Sequence, residues 1–228
     1  PAVLPVVEDV CGNVLEAPVP VKSGTYDGCE GTVIYTYTYK DCANLEYVWA
    51  YTYTIDRVTA PVVSAMAGGS TVECIGDAVE PSSVPTALGA CGETINGVLT
   101  STVDTPDPLT CEGTRAYTYT YTDCSGLQTT WTYTYTIDRI TAPAEDGGPV
   151  SDHSTVGTLG EAVAPSVLPV VKDVCGNILE TPTPVVSTSV DCGGTRTYTY
   201  TYVDCAGLEF EWVYTYTISR TTAPNQVG

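Results

Sequence analysis

The chain has 228 residues, and its 27 acidic and 8 basic side chains give a formal net charge of −19. Nucleic-acid binding needs lysine and arginine clustered against phosphates, and anionic membrane surfaces attract the same residues, so this charge excludes both kinds of partner. No apolar run approaches the roughly 20 residues of a membrane-spanning helix, and no membrane insertion is expected.

Three copies of one sequence pattern fill the chain. A Val-Cys-Gly-Asn motif recurs around Cys11 and Cys175, and more loosely, as Ala-Cys-Gly-Glu, around Cys91. The spacing of about 80 residues is typical of a tandem array of one domain. The expected domains are residues 1–61, 62–143 and 144–228.

In chain order, a complete repeat starts with a short opening strand, predicted at 70–74 in repeat two and 154–158 in repeat three, and repeat one lacks this segment. Short valine-rich strands interrupted by proline follow. Two longer segments close the repeat, at 115–122 and 130–137 in repeat two, and threonine alternates with larger side chains along both. A period of two predicts β-strands, and the turn sequence between them predicts an antiparallel hairpin.

The aromatic side of each hairpin is expected to face the core, because tryptophan and isoleucine lie on the same side as tyrosine, and threonine is expected in solvent. The predicted fold class is all-β, with tandem immunoglobulin-like β-sandwich repeats of about 80 residues. The tyrosines predicted to be mostly buried are Tyr35, Tyr37, Tyr119, Tyr121, Tyr198 and Tyr200.

The ten cysteines predict disulfides and an extracellular location, since domains this small are marginally stable. Cys111 and Cys124 stand at opposite ends of one strand about 40 Å long and cannot bond to each other. Cys91 and Cys124 are expected in two loops at one end of the sandwich, which favours their pairing. The predicted disulfides are Cys11–Cys42, Cys91–Cys124, Cys175–Cys205 and Cys74–Cys111, with Cys29 and Cys192 unpaired or inter-chain.

Four motifs carry a family resemblance: residues 173–177 (Asp-Val-Cys-Gly-Asn), 111–114 (Cys-Glu-Gly-Thr), 119–126 and 137–143. They resemble the hyalin-repeat-like (HYR-like) immunoglobulin-type repeats of large secreted bacterial surface proteins, and look closest to the SprB-type gliding adhesins of Bacteroidota. The resemblance covers all three repeats. It implies a sandwich fold, a tandem array, surface display and an adhesive or filamentous role.

Carboxylates and amides beside the cysteines are candidates for a metal site. Oxygen atoms from two loops would suit calcium, whereas the same residue types beside a loop cysteine also form Asx turns. Repeat two has Gly89 and Glu93 at the matching positions and lacks the set. No other cofactor is expected. The calcium candidates are Asp9, Asn13 and Asp41 in repeat one and Asp173, Asn177 and Asp204 in repeat three.

No enzymatic function is expected. Ser151, Asp152 and His153 are neighbours in one polar stretch between repeats, and a catalytic triad needs its three groups to converge in space. An enzyme should also not need its active site in triplicate.

The sequence therefore indicates a structural or adhesive segment of a secreted bacterial cell-surface filament or adhesin, stabilised by disulfides. Its expected partners are neighbouring repeats or identical chains, and an unknown surface or glycan ligand. The given chain is expected to be an excerpt of a longer array. The alternative is a subunit of a non-covalent extracellular polymer, in which a neighbouring chain donates the strand that repeat one lacks.

Overall fold

The computed structural model describes residues 3–188, 193–221 and 223. In repeat one, β1 (Val21–Gly24), β2 (Gly31–Lys40) and β3 (Glu46–Ile55) form a three-stranded sheet in that order. Within the described ranges, no helix has the length and apolar character needed to span a bilayer.

Repeat two has two sheets, and a short 3-10 helix (Ile75–Asp77) follows its second strand. Its strands are β4 (Val62–Val63), β5 (Gly68–Val72), β6 (Ala87–Leu88), β7 (Thr94–Ile95), β8 (Val98–Thr105), β9 (Gly113–Thr122) and β10 (Gln128–Ile137). One sheet has the order β5-β10-β9-β8 and the other β4-β6-β7.

Repeat three follows the same plan, with a 3-10 helix at Leu159–Glu161. Its strands are β11 (Ala144–Asp146), β12 (His153–Val156), β13 (Val170–Lys172), β14 (Val185–Val186), β15 (Gly194–Val203) and β16 (Glu209–Ile218). The larger sheet has the order β12-β16-β15-β14, and β11 pairs with β13.

The opening strands lie at one edge of the larger sheets, each parallel to the closing strand of its own repeat. β5 pairs with β10, where Gly68 is opposite Tyr133 and Val72 is opposite Ile137. β12 pairs with β16 in the same way, so His153 begins a strand and does not lie in a linker. In the described part of repeat one, β3 has no strand on this side.

The core of repeat three shows the two sheets packed face to face. Val171 from the smaller sheet joins a buried cluster with Tyr198, Tyr200 and Trp212 of the larger one. Tyr200 and Trp212 are opposite each other in the antiparallel hairpin of β15 and β16. The aromatic side therefore faces inward, as predicted, and the repeats are immunoglobulin-like β-sandwiches.

The tyrosine prediction is confirmed in repeats two and three, whereas Tyr35 and Tyr37 of repeat one are only half-buried. The threonine side is less exposed than expected, because β8 covers part of β9: Thr100 Oγ1 lies 2.9 Å from Thr120 Oγ1. In each repeat, one tyrosine hydroxyl donates to the carbonyl of a proline that lies earlier in the same repeat. These pairs are Tyr39 with Pro5, Tyr121 with Pro85 and Tyr202 with Pro169.

The chain divides into two compact units, and the boundary between them lies inside repeat two. The first unit comprises Pro1–Ala67, Ser82–Thr100 and Thr118–Trp131, and the second comprises Gly68–Pro81, Ser101–Tyr117 and Thr132–Gly228. Each unit therefore contains one of the two places where a repeat meets the next.

We expect hydrogen exchange to distinguish the closing strands. Amides of β3 should exchange faster than those of β10 and β16, because β3 has no parallel neighbour among the described residues and the other two strands have one. Exchange measured by mass spectrometry on a monomeric sample tests this. Equal protection of the three strands would mean that the edge of repeat one is covered.

Candidate functional site: the junctions between repeats

Within residues 3–188 and 193–221, three disulfides join consecutive repeats. The bonds are Cys29–Cys124 between repeats one and two, and Cys74–Cys175 and Cys111–Cys205 between repeats two and three. Cys29 and Cys111 are equivalent positions, in the Cys-Glu-Gly-Thr motif, and their partners are equivalent hairpin-loop cysteines. One kind of covalent link thus recurs at both junctions.

The predicted cysteine pairs, Cys11–Cys42, Cys91–Cys124, Cys175–Cys205 and Cys74–Cys111, are wrong. The expectation that Cys91 and Cys124 lie at one end of the sandwich is correct, since both line one pocket. At that end, however, Cys124 bonds across the junction to Cys29 of the preceding repeat, and Cys91 stays free. Cys111 and Cys124 do not bond to each other, as expected.

The cysteines predicted to be unpaired also differ from expectation. Cys29 is bonded within the chain, and Cys192 lies outside the described residues. In the described part of the chain, the free thiols are Cys11, Cys42 and Cys91, and all three are exposed.

A buried arginine reaches across each junction. Arg57 follows β3 and Arg139 follows β10, and only 9% and 4% of their side chains are exposed. The Arg139 guanidinium donates to Asp173 Oδ2 of repeat three at 2.5 Å, and that of Arg57 donates to Glu93 of repeat two. The end of one repeat is therefore paired electrostatically with the first cysteine loop of the next.

The Cys-Glu-Gly-Thr motif also fixes the backbone of these arginines. Glu30 Oε1 accepts a hydrogen bond from the Arg57 N–H at 2.8 Å, and Glu112 Oε1 accepts one from the Arg139 N–H at 3.0 Å. One short motif thus supplies both the inter-repeat cysteine and a carboxylate that orients the arginine.

Both junctions have a carboxylate that accepts from the arginine, but different sequence positions supply it. Repeat three has Asp173 and Asn177, and repeat two has Gly89 and Glu93 at the same positions. A Cβ atom on Gly89 would lie 2.3 Å from the Glu93 carboxylate, so Glu93 fills the space of the missing aspartate side chain. Both carboxylates also accept the N–H of their loop cysteine.

A family model described as the HYR-like domain with 4 cysteines matches residues 1–55, 62–137 and 148–218. The chain belongs to the HYR-like family. No curated protein sequence matches it. Repeat two of this HYR-like chain has four cysteines, which are Cys74, Cys91, Cys111 and Cys124. Two of them, Cys74 and Cys111, bond to the following repeat.

Solved structures of cadherin repeats give weak matches. The protocadherin gamma B4 extracellular domain is 13% identical with a TM-score of 0.31, and the match covers 91% of this chain and 44% of that one. Extracellular cadherin domains 1–4 of protocadherin gamma B7 are 11% identical with a TM-score of 0.30, and the match covers 93% and 63%. The HYR-like chain thus spans less than two thirds of either structure, and likeness at this level carries no functional argument.

The aspartates proposed as calcium ligands accept hydrogen bonds from groups of their own loops. The Asp9 carboxylate accepts the N–H groups of Cys11 and Asn13 and the Asn13 amide. Asp41 and Asp204 each accept two N–H groups of their own turn. In the described ranges, no three acidic, histidine or cysteine side chains group as metal ligands do. The Asx-turn alternative therefore describes these loops.

The charges at the junctions perturb the pKa values of the residues that meet there. Burial raises the pKa of Asp173, but hydrogen bonds from Asn177 and Arg139 outweigh it, and the net pKa is lowered. The hydrogen bond that the Arg57 guanidinium donates to the Glu93 carboxylate raises the pKa of Arg57. Both groups therefore stay charged at neutral pH.

The triad residues do not form a catalytic site. His153 Nδ1 lies 2.9 Å from Asp152 Oδ1, and both side chains are mostly exposed. Ser151 Oγ donates to the His153 carbonyl at 3.4 Å, so the hydroxyl does not reach the imidazole.

The junction arginines were not predicted, although the sequence contains a signal for them. Three of the 8 basic residues stand at one position of the repeat, directly after Ile-Asp or Ile-Ser, as Arg57, Arg139 and Arg220. A recurrent arginine in a strongly acidic chain indicates a fixed acidic partner.

We expect Asp173→Asn to lower the free energy of unfolding by about 3 kcal/mol, because Arg139 then stays buried without its counter-charge. Glu46→Gln is the matched control: its ion pair with Lys40 is about half exposed, and the cost should stay below about 1 kcal/mol. Urea titrations of the two variants provide the comparison. Equal losses of unfolding free energy in the two variants would show that burial does not make the Arg139–Asp173 pair more costly to break than an exposed pair.

The same pair should depend on pH in one direction. Because the pKa of Asp173 is lowered in the folded chain, its contribution is complete above the ordinary aspartate pKa and is lost as the pH falls through the lowered value. The difference between wild type and Asp173→Asn should therefore shrink in acid. A difference that grows in acid would contradict this.

We expect the double variant Cys29→Ser/Cys124→Ser to lose about 4–5 kcal/mol of stability, because the bond closes a long loop in the unfolded chain. Cys42→Ser is the control, since this thiol is free and exposed. Mass spectrometry of non-reduced digests should recover the three inter-repeat pairs. Recovery of Cys91 joined to Cys124 would restore the within-repeat pattern and contradict the structure.

Proposed function

We propose that this chain is a load-bearing stretch of a secreted HYR-like array at a bacterial cell surface, serving as a stalk, filament or adhesin. The motif resemblance to the SprB-type gliding adhesins of Bacteroidota supports the bacterial setting, and the disulfides support an extracellular one. The proposed repeat boundaries are residues 1–61, 62–143 and 144–228.

The observation that carries the proposal is the direction of the disulfides. Every disulfide in the described part of the chain joins one repeat to the next. A domain that needs stability alone would be cross-linked internally, whereas links between domains resist their separation. Force along the chain then passes through covalent bonds at the junctions.

The free cysteines of repeat one support an array that continues. Cys42 is equivalent to Cys124 and Cys205, which both bond to a preceding repeat. Cys11 is equivalent to Cys175, which also does so, and Cys11 and Cys42 are both exposed. Within the proposal, these two thiols bond to another HYR-like repeat in the parent protein.

The net charge of −19 suits such a role. Like charge keeps neighbouring arrays soluble and apart, and away from anionic cell surfaces. The proposed partners are neighbouring repeats and an external surface or glycan, with no catalytic step.

Single-molecule stretching tests the load-bearing role. Pulling between the two ends of the oxidised chain extends only residues 1–29, 111–124 and 205–228, because the disulfides bypass the rest. At about 3.4 Å per residue, the extension should stop near 220 Å, whereas the reduced chain should reach about 770 Å. Similar extension in both forms would mean that the junctions carry no load.

A second candidate function is favoured by one observation: among the described residues, β3 has a paired strand on one side only. An edge of this kind accepts a strand from another polypeptide. The chain would then be a subunit of a non-covalent polymer, joined to its neighbours by strand donation.

A further inference from the structure

The segment that closes repeat two lies among the four cysteines of the second junction. This closing segment, residues 139–141, follows β10 and has the sequence Arg-Ile-Thr. Each of the four cysteines has an acidic residue next to it or two residues away, and contacts with the closing segment involve these acidic residues. They are Glu73, Glu112, Asp173 and Asp204, beside Cys74, Cys111, Cys175 and Cys205.

Two of these carboxylates accept hydrogen bonds from the closing segment's own backbone. Glu112 Oε1 accepts the Arg139 N–H at 3.0 Å. The Glu73 carboxylate accepts the Thr141 N–H and the Thr141 hydroxyl, both at 2.9 Å. Each glutamate is adjacent to one of the two cysteines that repeat two contributes to the junction, so both cysteines are held beside the segment.

The Arg139 side chain makes the contact with repeat three. Only 4% of it is exposed, and its guanidinium donates to Asp173 Oδ2 at 2.5 Å. The other oxygen of the same carboxylate, Asp173 Oδ1, accepts the Cys175 N–H at 3.0 Å. One aspartate therefore connects the arginine to the backbone of a cysteine from the next repeat.

The fourth carboxylate belongs to the aspartate of the hairpin loop, and the first junction shows how it meets the arginine. Arg57 and Asp123 line one pocket there. Among the described residues, Arg57 Nε and Asp123 Oδ2 are both buried without a hydrogen-bond partner. Burial raises the pKa of Asp123, but hydrogen bonds from Ser125 and Leu127 and the charge of Arg57 outweigh it and lower the pKa. The two side chains therefore attract each other across the junction.

The second junction has the same two groups. Within the part of the chain that the structure describes, Arg139 Nε and Asp204 Oδ2 are also buried without a partner. The other oxygen, Asp204 Oδ1, accepts the N–H groups of Ala206 and Leu208 in its own turn. The aspartate thus shapes the hairpin loop with one oxygen and has the other left for the arginine, directly before Cys205 in the chain.

Chain entropy by itself favours a different pairing. Cys111 and Cys205 are 94 residues apart, whereas Cys175 and Cys205 are about 30 residues apart. Because the cost of closing a loop rises with the logarithm of its length, an unfolded chain should prefer the shorter pair about fivefold. The observed bond therefore requires contacts that bring Cys205 to the preceding repeat.

We propose that the closing segment is a template for disulfide pairing, which binds the acidic neighbours of the cysteines from two repeats and brings the correct sulfurs together before they bond. Residues 57–59 do the same at the first junction. The inference goes beyond the load-bearing role, since it concerns which sulfurs join and not what the finished bonds carry. The bonds directed in this way are Cys74–Cys175 and Cys111–Cys205 at the second junction and Cys29–Cys124 at the first.

Each bond forms by two thiol–disulfide exchanges with a small disulfide such as oxidised glutathione. One cysteine thiolate attacks the glutathione disulfide, which gives a mixed disulfide and releases one glutathione thiolate. The second cysteine thiolate then attacks the protein sulfur, the new sulfur–sulfur bond forms, and the second glutathione leaves with the electron pair. Both released thiolates take up a proton. The template acts on the second exchange, because it raises the effective concentration of the attacking thiolate.

The test is oxidative refolding of the reduced 228-residue chain in a glutathione buffer. Samples are quenched with acid at successive times, and the cysteine pairs are mapped by mass spectrometry. In the wild type, Cys111–Cys205 should exceed the competing Cys175–Cys205 pair throughout. In Arg139→Gln, the ratio of Cys175–Cys205 to Cys111–Cys205 among the early products should rise at least about tenfold, and formation of the first-junction bond should be unchanged.

Two variants serve as controls for the arginine. Arg57→Gln is the reciprocal change, and it should reduce Cys29–Cys124 while the second junction pairs as in the wild type. Ile218→Ala removes a buried side chain at the end of β16 that lies away from the hairpin loop. It should slow refolding but keep the wild-type ratio of pairs, because it destabilises repeat three without altering the template.

The hairpin-loop aspartate has a matched control in repeat one. Asp204→Asn keeps an oxygen for the turn but removes the charge, and it should shift the ratio of pairs in the same direction as Arg139→Gln. Asp41→Asn makes the same change in an equivalent turn, where Asp41 also accepts two N–H groups. It should leave pairing at the second junction unchanged.

A wild-type ratio of pairs in Arg139→Gln would overturn the proposal. An equal shift in Ile218→Ala would also overturn it, because pairing would then follow the stability of the repeat alone. Loss of native pairs at both junctions in either arginine variant would contradict a template that acts on its own junction. These measurements follow the formation of the bonds, so their outcome is independent of the extension limit of the fully oxidised chain.

Discussion

A guanidinium buried at the end of one repeat requires a carboxylate from the next, because leaving a buried charge unpaired costs several kcal/mol. Arg57 and Arg139 meet this requirement with Glu93 and Asp173, and disulfides lie beside both pairs. The division into two compact units agrees with this pairing of neighbouring repeats, since each unit contains a whole junction and the boundary lies inside repeat two. Neighbouring repeats therefore stabilise each other, which is how repeat arrays gain stability beyond that of a single domain.

The fold could be predicted from the sequence because its signals are local. Strict alternation along the closing strands gives their period and their buried side, and the structure places Tyr200 and Trp212 opposite each other as the hairpin requires. The opening strands were also recognisable, together with their absence from repeat one.

The cysteine partners were not predictable in the same way. Sequence placed Cys91 and Cys124 at one end of the sandwich, but it does not say whether the nearest sulfur belongs to the same repeat or the preceding one. The arginine acceptor was hidden for a related reason. In repeat three the acceptor is Asp173, two residues before the loop cysteine, whereas in repeat two it is Glu93, two residues after it. An alignment of the repeats therefore shows no common acidic residue, although both carboxylates receive the arginine.

The three disulfide-bonded loops overlap along the chain, since 29–124, 74–175 and 111–205 each begin before the preceding one ends. A single backbone cleavage anywhere between Cys29 and Cys205 therefore leaves both fragments joined by at least one sulfur bridge. Exposed loop tips are the usual sites of proteolytic nicking, and a protein outside the cell meets proteases without any means of repair. An array linked in this way keeps its distal portion attached after such damage, and releases it only when the bridges spanning the cut are reduced or a second cut falls elsewhere.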